Sequence, residues 1–223
     1  MGRFRVGVFD VDGTLVGVES WIYFHEALGT WGEARKYAEL YRRGRITYYE
    51  WAQLDASLWR GTPVSLLEEL VEEVPLTPGA VEAVRALRAA GVEIVLLSCG
   101  LDVMVRRVAR ELGVGLYVAN RLVVDAEGRL TGQAVVNVSL DGKLPVLKCL
   151  LARLGAGPEA CFAVGDDESM IPVFRAVSLG IAFNPKGPEV AKAAHVVIEG
   201  PDLRAILPYV LRQRDERDFK GPS

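Results

Sequence analysis

Apolar and polar positions follow two rhythms along this chain. Short apolar runs at residues 4–9, 92–97 and 161–164 each stop in a polar tip, and similar runs recur at 178–183 and 195–198. Runs rich in Val, Ile, Leu and Phe with little alternation predict strands buried on both faces, as in a parallel sheet. Between them, apolar residues recur every three or four positions at 80–90, 102–112, 144–154 and 188–194, which predicts amphipathic helices. Residues 116–119, 121–124 and 129–135 read as three further strands, the last two joined through Asp125-Ala126-Glu127-Gly128, a hairpin signal. Strands alternating with helices predict an α/β fold, a doubly wound, mainly parallel sheet of Rossmann type.

The second stretch of the chain breaks this rhythm. Residues 17–74 carry only helical patterns, at 19–28, 33–42, 47–59 and 64–73, separated by Gly29, Gly44, Gly61 and Pro63. All four tryptophans (Trp21, Trp31, Trp51 and Trp59) fall here, with six further aromatic residues and His25, which reads as a packed or surface histidine. Pro75-Leu76-Thr77-Pro78-Gly79 then marks a boundary. The expectation is a core domain of residues 1–16 and 75–223, interrupted by a small helical cap domain at 17–74 with its own core. The charged tail at 212–223 is expected to fray.

Composition narrows the partners. Half of the 223 residues are hydrophobic, and the formal net charge is −3, without the basic excess of a nucleic-acid binder. No apolar run approaches the roughly 18–20 residues that span a bilayer. Residues 1–5 lead into a strand without a signal-peptide core. Three cysteines without metal-ligand spacing suit a reducing cytoplasm, and the protein is expected to be a monomer or homodimer there.

The chemistry sits at the strand tips. Asp10 and Asp12 follow the first strand one residue apart, so an extended backbone turns both toward one pocket. Taken alone, Asp-x-Asp-Gly is equally a solvated turn. Two close carboxylates repel, and a hard cation such as Mg²⁺, which takes oxygen ligands and shares them with substrate phosphate, relieves that repulsion. Ser98 and Gly100 follow the second strand, Asp166 and Asp167 the third, and Lys143 opens the helix before it. Together they offer carboxylates for a metal, a hydroxyl and backbone N–H groups for phosphate oxygens, and an ammonium, the parts phosphoryl transfer requires.

Asp-Val-Asp-Gly-Thr-Leu at 10–15, Leu-Leu-Ser-Cys-Gly at 96–100, Ala-Asn-Arg-Leu-Val-Val at 119–124, Lys143 and Val-Gly-Asp-Asp at 164–167 resemble the haloacid-dehalogenase superfamily, and within it phosphoserine phosphatases. The resemblance covers nearly the whole chain. It implies a Mg²⁺-dependent phosphatase for a small phosphorylated metabolite, with Asp10 as nucleophile and Asp12 as acid and base. Ser98, Gly100 and Lys143 would hold the phosphoryl group. Asp10, the backbone carbonyl of Asp12 and Asp166 would hold the metal, with Asp167 a further candidate, and Glu19 would bind substrate. Two departures stand out. Met170 takes the place of the family's last Asp, so Asp167 or Glu168 is expected to supply the missing charge beside Lys143. The arginine that holds a substrate carboxylate falls at about Trp59, with Arg60 beside it. The same core also serves phosphotransfer to an alcohol, or phospho-ligand binding without turnover; the intact acids favour turnover.

Overall fold

The computed structural model describes residues 4–211; the tail expected to fray lies outside them. Seven strands form one sheet: β1 (Val6–Phe9), β2 (Glu93–Leu101), β3 (Leu116–Val124), β4 (Leu130–Val135), β5 (Cys161–Gly165), β6 (Leu179–Phe183) and β7 (Val196–Ile198). Their order is β4-β3-β2-β1-β5-β6-β7, parallel except for the antiparallel pair β3/β4. β1 is flanked by β2 and β5, so the strand order reverses there, and the C-terminal ends of these three strands form the crevice where such sheets bind ligands. Every residue of β1 is buried, which accounts for its unbroken apolar run. The α/β fold class expected from the alternating pattern is the one found.

Ten α-helices lie among the described residues. α1 (Ser20–Ala27), α2 (Trp31–Arg42), α3 (Tyr48–Ser57) and α4 (Val64–Glu72) lie between β1 and α5 (Ala80–Ala89). After them come α6 (Asp102–Leu112), α7 (Lys143–Arg153), α8 (Ile171–Ala176), α9 (Pro188–Ala193) and α10 (Leu207–Val210). The chain leaves the sheet at Val16 and returns at Leu76, and these two residues form an antiparallel bridge. Beside it, Thr77 N donates to Leu15 O at 2.8 Å and Thr77 Oγ1 to Thr14 O at 2.7 Å.

The structure corrects three local expectations. The separate core expected for the helical insertion is absent among the described residues: Phe24, Ala52, Trp59, Leu67 and Val71 join one cluster with Phe9, Leu96 and Phe162 of the sheet. The apolar stripes of these helices are buried against side chains of the sheet and not only against one another. β3 is one strand where two were expected, and β2 runs on to Leu101, so Ser98 and Gly100 lie within it. The β2/β3 register slips between Leu97 and Leu101, which lets the strand continue through its polar tip. The β3/β4 hairpin forms as expected, with Asp125 Oδ1 accepting from Glu127 N and Arg129 N across its turn. The hairpin also carries the insertion: Gln53 of α3 donates to Ala134 O at 2.7 Å and accepts from Ala134 N at 3.1 Å.

Candidate active site

Asp10 ends β1 with only 2% of its surface exposed, and its backbone N–H is fixed by Val164 O of the neighbouring strand at 2.9 Å. Its Oδ1 accepts from Val11 N at 2.8 Å, while Oδ2 accepts from Lys143 Nζ in a short ion pair. Lys143 is 1% exposed and stands in the first turn of α7. A helix N-terminus disfavours a cation, so this lysine is held there by its carboxylate partner and not by the helix. Burial pushes the Asp10 carboxyl up to about 8 despite the pull of Lys143, with Asp167 and Asp166 pushing the same way. Burial alone would lower the Lys143 ammonium, but Asp10 holds it above its usual value.

Asp12 is gripped from one side. Its Oδ2 accepts from Ser20 N at 2.7 Å and Ser20 Oγ at 2.6 Å, at the start of α1. Ser20 Oγ in turn accepts from Leu101 N at 2.9 Å. Oδ1 of Asp12 is buried without a hydrogen-bond partner, in a residue that lines the cavity. Burial, then the charge of Glu19, pushes the Asp12 carboxyl up to about 7 against the two Ser20 hydrogen bonds.

Between these acids, Gly13 turns the chain with φ 74°, and a Cβ there would meet Asp166 Oδ2 at 2.0 Å. Only glycine allows this approach. It brings Thr14 Oγ1 to Asp166 Oδ1 at 2.8 Å. Asp166 Oδ2 faces Lys186 Nζ at 2.8 Å without the alignment of a hydrogen bond. Burial raises the Asp166 carboxyl, opposed by Lys186. Lys186 also pairs with Glu19, so one ammonium links the insertion to the sheet.

At the tip of β2, Ser98 is fully buried and its Oγ accepts from Gly100 N at 2.9 Å. The Cys99 carbonyl accepts from Asn120 Nδ2 at 2.7 Å, Tyr48 Oη at 3.0 Å and Trp21 Nε1 at 3.2 Å. Asn120 Oδ1 also accepts from Asn137 N and Val138 N, fixing the segment that leads toward Lys143.

These groups surround a cavity of about 190 Å³. Asp10, Asp12, Glu19, Ser98, Gly100, Lys143 and Asp167 all line it; Asp166 does not, and is held beside Thr14 and Lys186. Oxygen is the donor offered at its floor, and its acids raise one another's pKa. A hard divalent cation fits such a set, since it supplies the missing counter-charge and takes oxygen ligands. Among the described residues no three His, Cys, Asp or Glu side chains converge as a ready cage; the set read from the sequence uses two carboxylates and a main-chain carbonyl.

The two candidates for the charge lost at Met170 separate. Asp167 lines the cavity, with Oδ1 accepting from Ser169 N at 2.9 Å and Ser169 Oγ at 2.5 Å, whereas Glu168 is exposed. Trp59 is buried off the cavity, stacked on Trp21 and donating to Thr30 Oγ1 at 3.1 Å, so it replaces the expected arginine with packing. His25 is buried, as one of the two expectations for it held, but it also lines the cavity. Sequence reasoning missed Ser20, Asn120 and Lys186. Lys186 follows the apolar run of β6 in a Pro/Gly loop, so the strand-tip rule, carried to a fourth strand, finds it.

This α/β fold gathers at its strand tips the carboxylates, hydroxyl and ammonium that phosphoryl transfer requires. The chain belongs to the haloacid dehalogenase-like hydrolase family, whose model matches residues 8–175. It is similar to the phosphoserine phosphatase of Methanocaldococcus jannaschii, 30% identical over 204 residues that cover 91% of this chain and 96% of that protein. It is 33% identical over 183 residues to the phosphoserine phosphatase of Archaeoglobus fulgidus, covering 82% of this chain but only 53% of that longer protein. Among solved structures it matches a phospho-aspartyl intermediate analogue of phosphoserine phosphatase with TM-score 0.81 and 30% identity, covering 93% of this chain and 99% of that one. The family and the enzyme class expected from the motifs, a phosphoric monoester hydrolase, are borne out by these relatives.

Proposed function

We propose that this protein is a cytoplasmic, Mg²⁺-dependent phosphomonoester phosphatase that works through an aspartyl-phosphate on Asp10 and acts on a small phosphorylated metabolite. Residues 17–74 serve as the cap that selects the substrate, and residues 1–16 and 75–223 carry the chemistry. One observation carries the reading: in a single cavity, a buried carboxylate paired to a buried ammonium stands near a second carboxylate with an unpartnered oxygen.

An Asp10 oxygen attacks phosphorus as the bond to the alcohol oxygen breaks. Asp12 Oδ1 delivers its proton to that departing oxygen, and a carboxyl near 7 suits a group that must give and then retake a proton. Water then attacks the phosphorus, its proton returns to Asp12, and Asp10 is freed with phosphate. Lys143, Ser98 and the Gly100 N–H hold the non-bridging oxygens and stabilise charge where it develops. Asp10, the Asp12 carbonyl and Asp166, with Asp167 a further candidate, would hold Mg²⁺, which would supply positive charge against the phosphoryl oxygens.

The test is hydrolysis of p-nitrophenyl phosphate with excess Mg²⁺. Asp10→Asn is expected to abolish turnover, because an amide is a poor nucleophile, while Asp12→Asn slows it by about 10²–10⁴. Wild-type-like turnover by Asp10→Asn overturns the covalent route.

A further inference from the structure

The cavity wall away from Asp10 comes from three helices with one helical spacing. α1 contributes Trp21 and His25, α2 Trp31, and α3 Tyr48, Trp51 and Asp55. Indole and phenol rings dominate, and a single carboxylate is set among them. Asp55 is 3% exposed, and its Oδ1 makes no hydrogen bond. His25 Nε2 is 3.5 Å from Oδ2, beyond a good hydrogen bond, and Trp51 Nε1 is likewise unpartnered. His25 Nδ1 lies 2.8 Å from Thr30 Oγ1, which already accepts from Trp59 Nε1. Burial raises the Asp55 carboxyl, opposed by His25 and Trp51 beside it.

Among the described residues, the lysine and arginine content of this cavity is Lys143 alone, committed to Asp10. A substrate carboxylate therefore meets no cation near the aromatic wall. Glu19 also lines the cavity, but Lys186 neutralises it. Aromatic faces around a buried acid are the chemistry that recognises an organic ammonium. We infer that the cap wall selects phosphate monoesters of amino alcohols, with the alkylammonium end between the indole faces and against Asp55 Oδ1. This rests on the phosphatase reading above and names its substrate class. Asp55 is the specificity-determining residue: it supplies the acceptor and the charge, while the rings supply the desolvated surface.

The test compares esters of equal shape and different charge: 2-(trimethylammonio)ethyl phosphate against 3,3-dimethylbutyl phosphate, and 2-aminoethyl phosphate against propyl phosphate. O-phosphoserine adds a carboxylate to the 2-aminoethyl ester. For each, kcat/KM is measured, and tryptophan fluorescence titration reads binding independently of turnover. The cationic member of each pair is expected to exceed its neutral partner by at least about tenfold, with O-phosphoserine below 2-aminoethyl phosphate. Asp55→Asn should bring that ratio to within about threefold of unity. The wild-type pairs decide the matter even if the variant misfolds. Hydrolysis with no preference for the cation, or a preference that Asp55→Asn leaves intact, overturns this inference but not the phosphatase reading. A cation preference in binding without hydrolysis of any ester overturns the phosphatase reading and leaves the wall's assignment standing. Neither binding nor hydrolysis overturns both.

Discussion

Gly100→Ala is the sharpest small perturbation this site offers. Gly100 lies within β2, and its φ is not in the left-handed region, so alanine fits the local backbone. The obstacle is packing. A Cβ at this position would stand 2.4 Å from Asp12 Oδ2, 2.5 Å from Ser20 Oγ and 2.8 Å from Asp12 Cγ. Ordinary contact begins near 3.4 Å, so the Asp12 carboxylate must retreat by about 1 Å or β2 must yield. Retreat loosens the two hydrogen bonds from Ser20, each worth about 1.5–3 kcal/mol when the acceptor is charged. A catalytic group displaced by about 1 Å loses on the order of 10² in rate. The expected result is therefore a kcat lower by about 10² with p-nitrophenyl phosphate and a stability loss of about 1–3 kcal/mol from overpacking. Steady-state kinetics and urea unfolding read the two effects. Gly115→Ala, where an added Cβ meets nothing within 4 Å, serves as the matched control. If Gly100→Ala keeps wild-type kcat while its unfolding midpoint drops, β2 has yielded instead and the predicted displacement of Asp12 is refuted.

Three further outcomes follow from the same geometry. Lys143→Met leaves Asp10 buried without its cation, so thermal unfolding should show about 3–5 kcal/mol of lost stability, less whatever Asp10 regains by taking a proton, and turnover should fall at least about 10². Asp167→Ala should lower kcat by at least about tenfold while Glu168→Ala leaves it unchanged, because only Asp167 lines the cavity; equal kinetics for both variants would remove Asp167 from the site. Thr47→Ala breaks the capping box that opens α3 and should cost about 0.5–2 kcal/mol by urea titration. Thr47 holds the Glu50 carboxyl below 4.5, so this difference should be full above that pH and shrink as pH falls through the lowered folded value.

Legibility followed how locally each feature is determined. The strand tips were readable because a strand buried on both faces announces itself as an apolar run, and whatever polar residue ends it must face the crevice. Asp10, Asp12 and Ser98 follow from that rule joined to their order along the chain, since each alone reads equally as a turn residue. The Asp125–Gly128 turn was readable because one side chain, Asp125, organises it. Helix assignments held for the insertion, yet its packing did not, since a helical stripe shows which face is buried and not what covers it. Ser20 and Lys186 escaped notice because their partners lie 8 and 167 positions away. Asp55 carries no signal in the sequence beyond one acid in a helical run, and only the crossing of α1, α2 and α3 turns it inward.

The bridge between Val16 and Leu76 has a consequence for how this chain can change. Because the insertion departs and returns through one closed doorway, its length is nearly free: each doubling of a closed loop costs only about 0.6 kcal/mol. Nothing in the sheet would need to move if residues 17–75 were exchanged for another segment with matching ends. The constraint is on character. The newcomer would inherit an apolar floor around Phe9, Leu96 and Leu101 and would have to arrive with its own oily underside. It would also need a serine or its equivalent to steady Asp12, since that grip comes from the insertion at Ser20. The scaffold thus behaves like a fixed tool with a bayonet socket: heads of many shapes can lock in, provided each carries the same two pins.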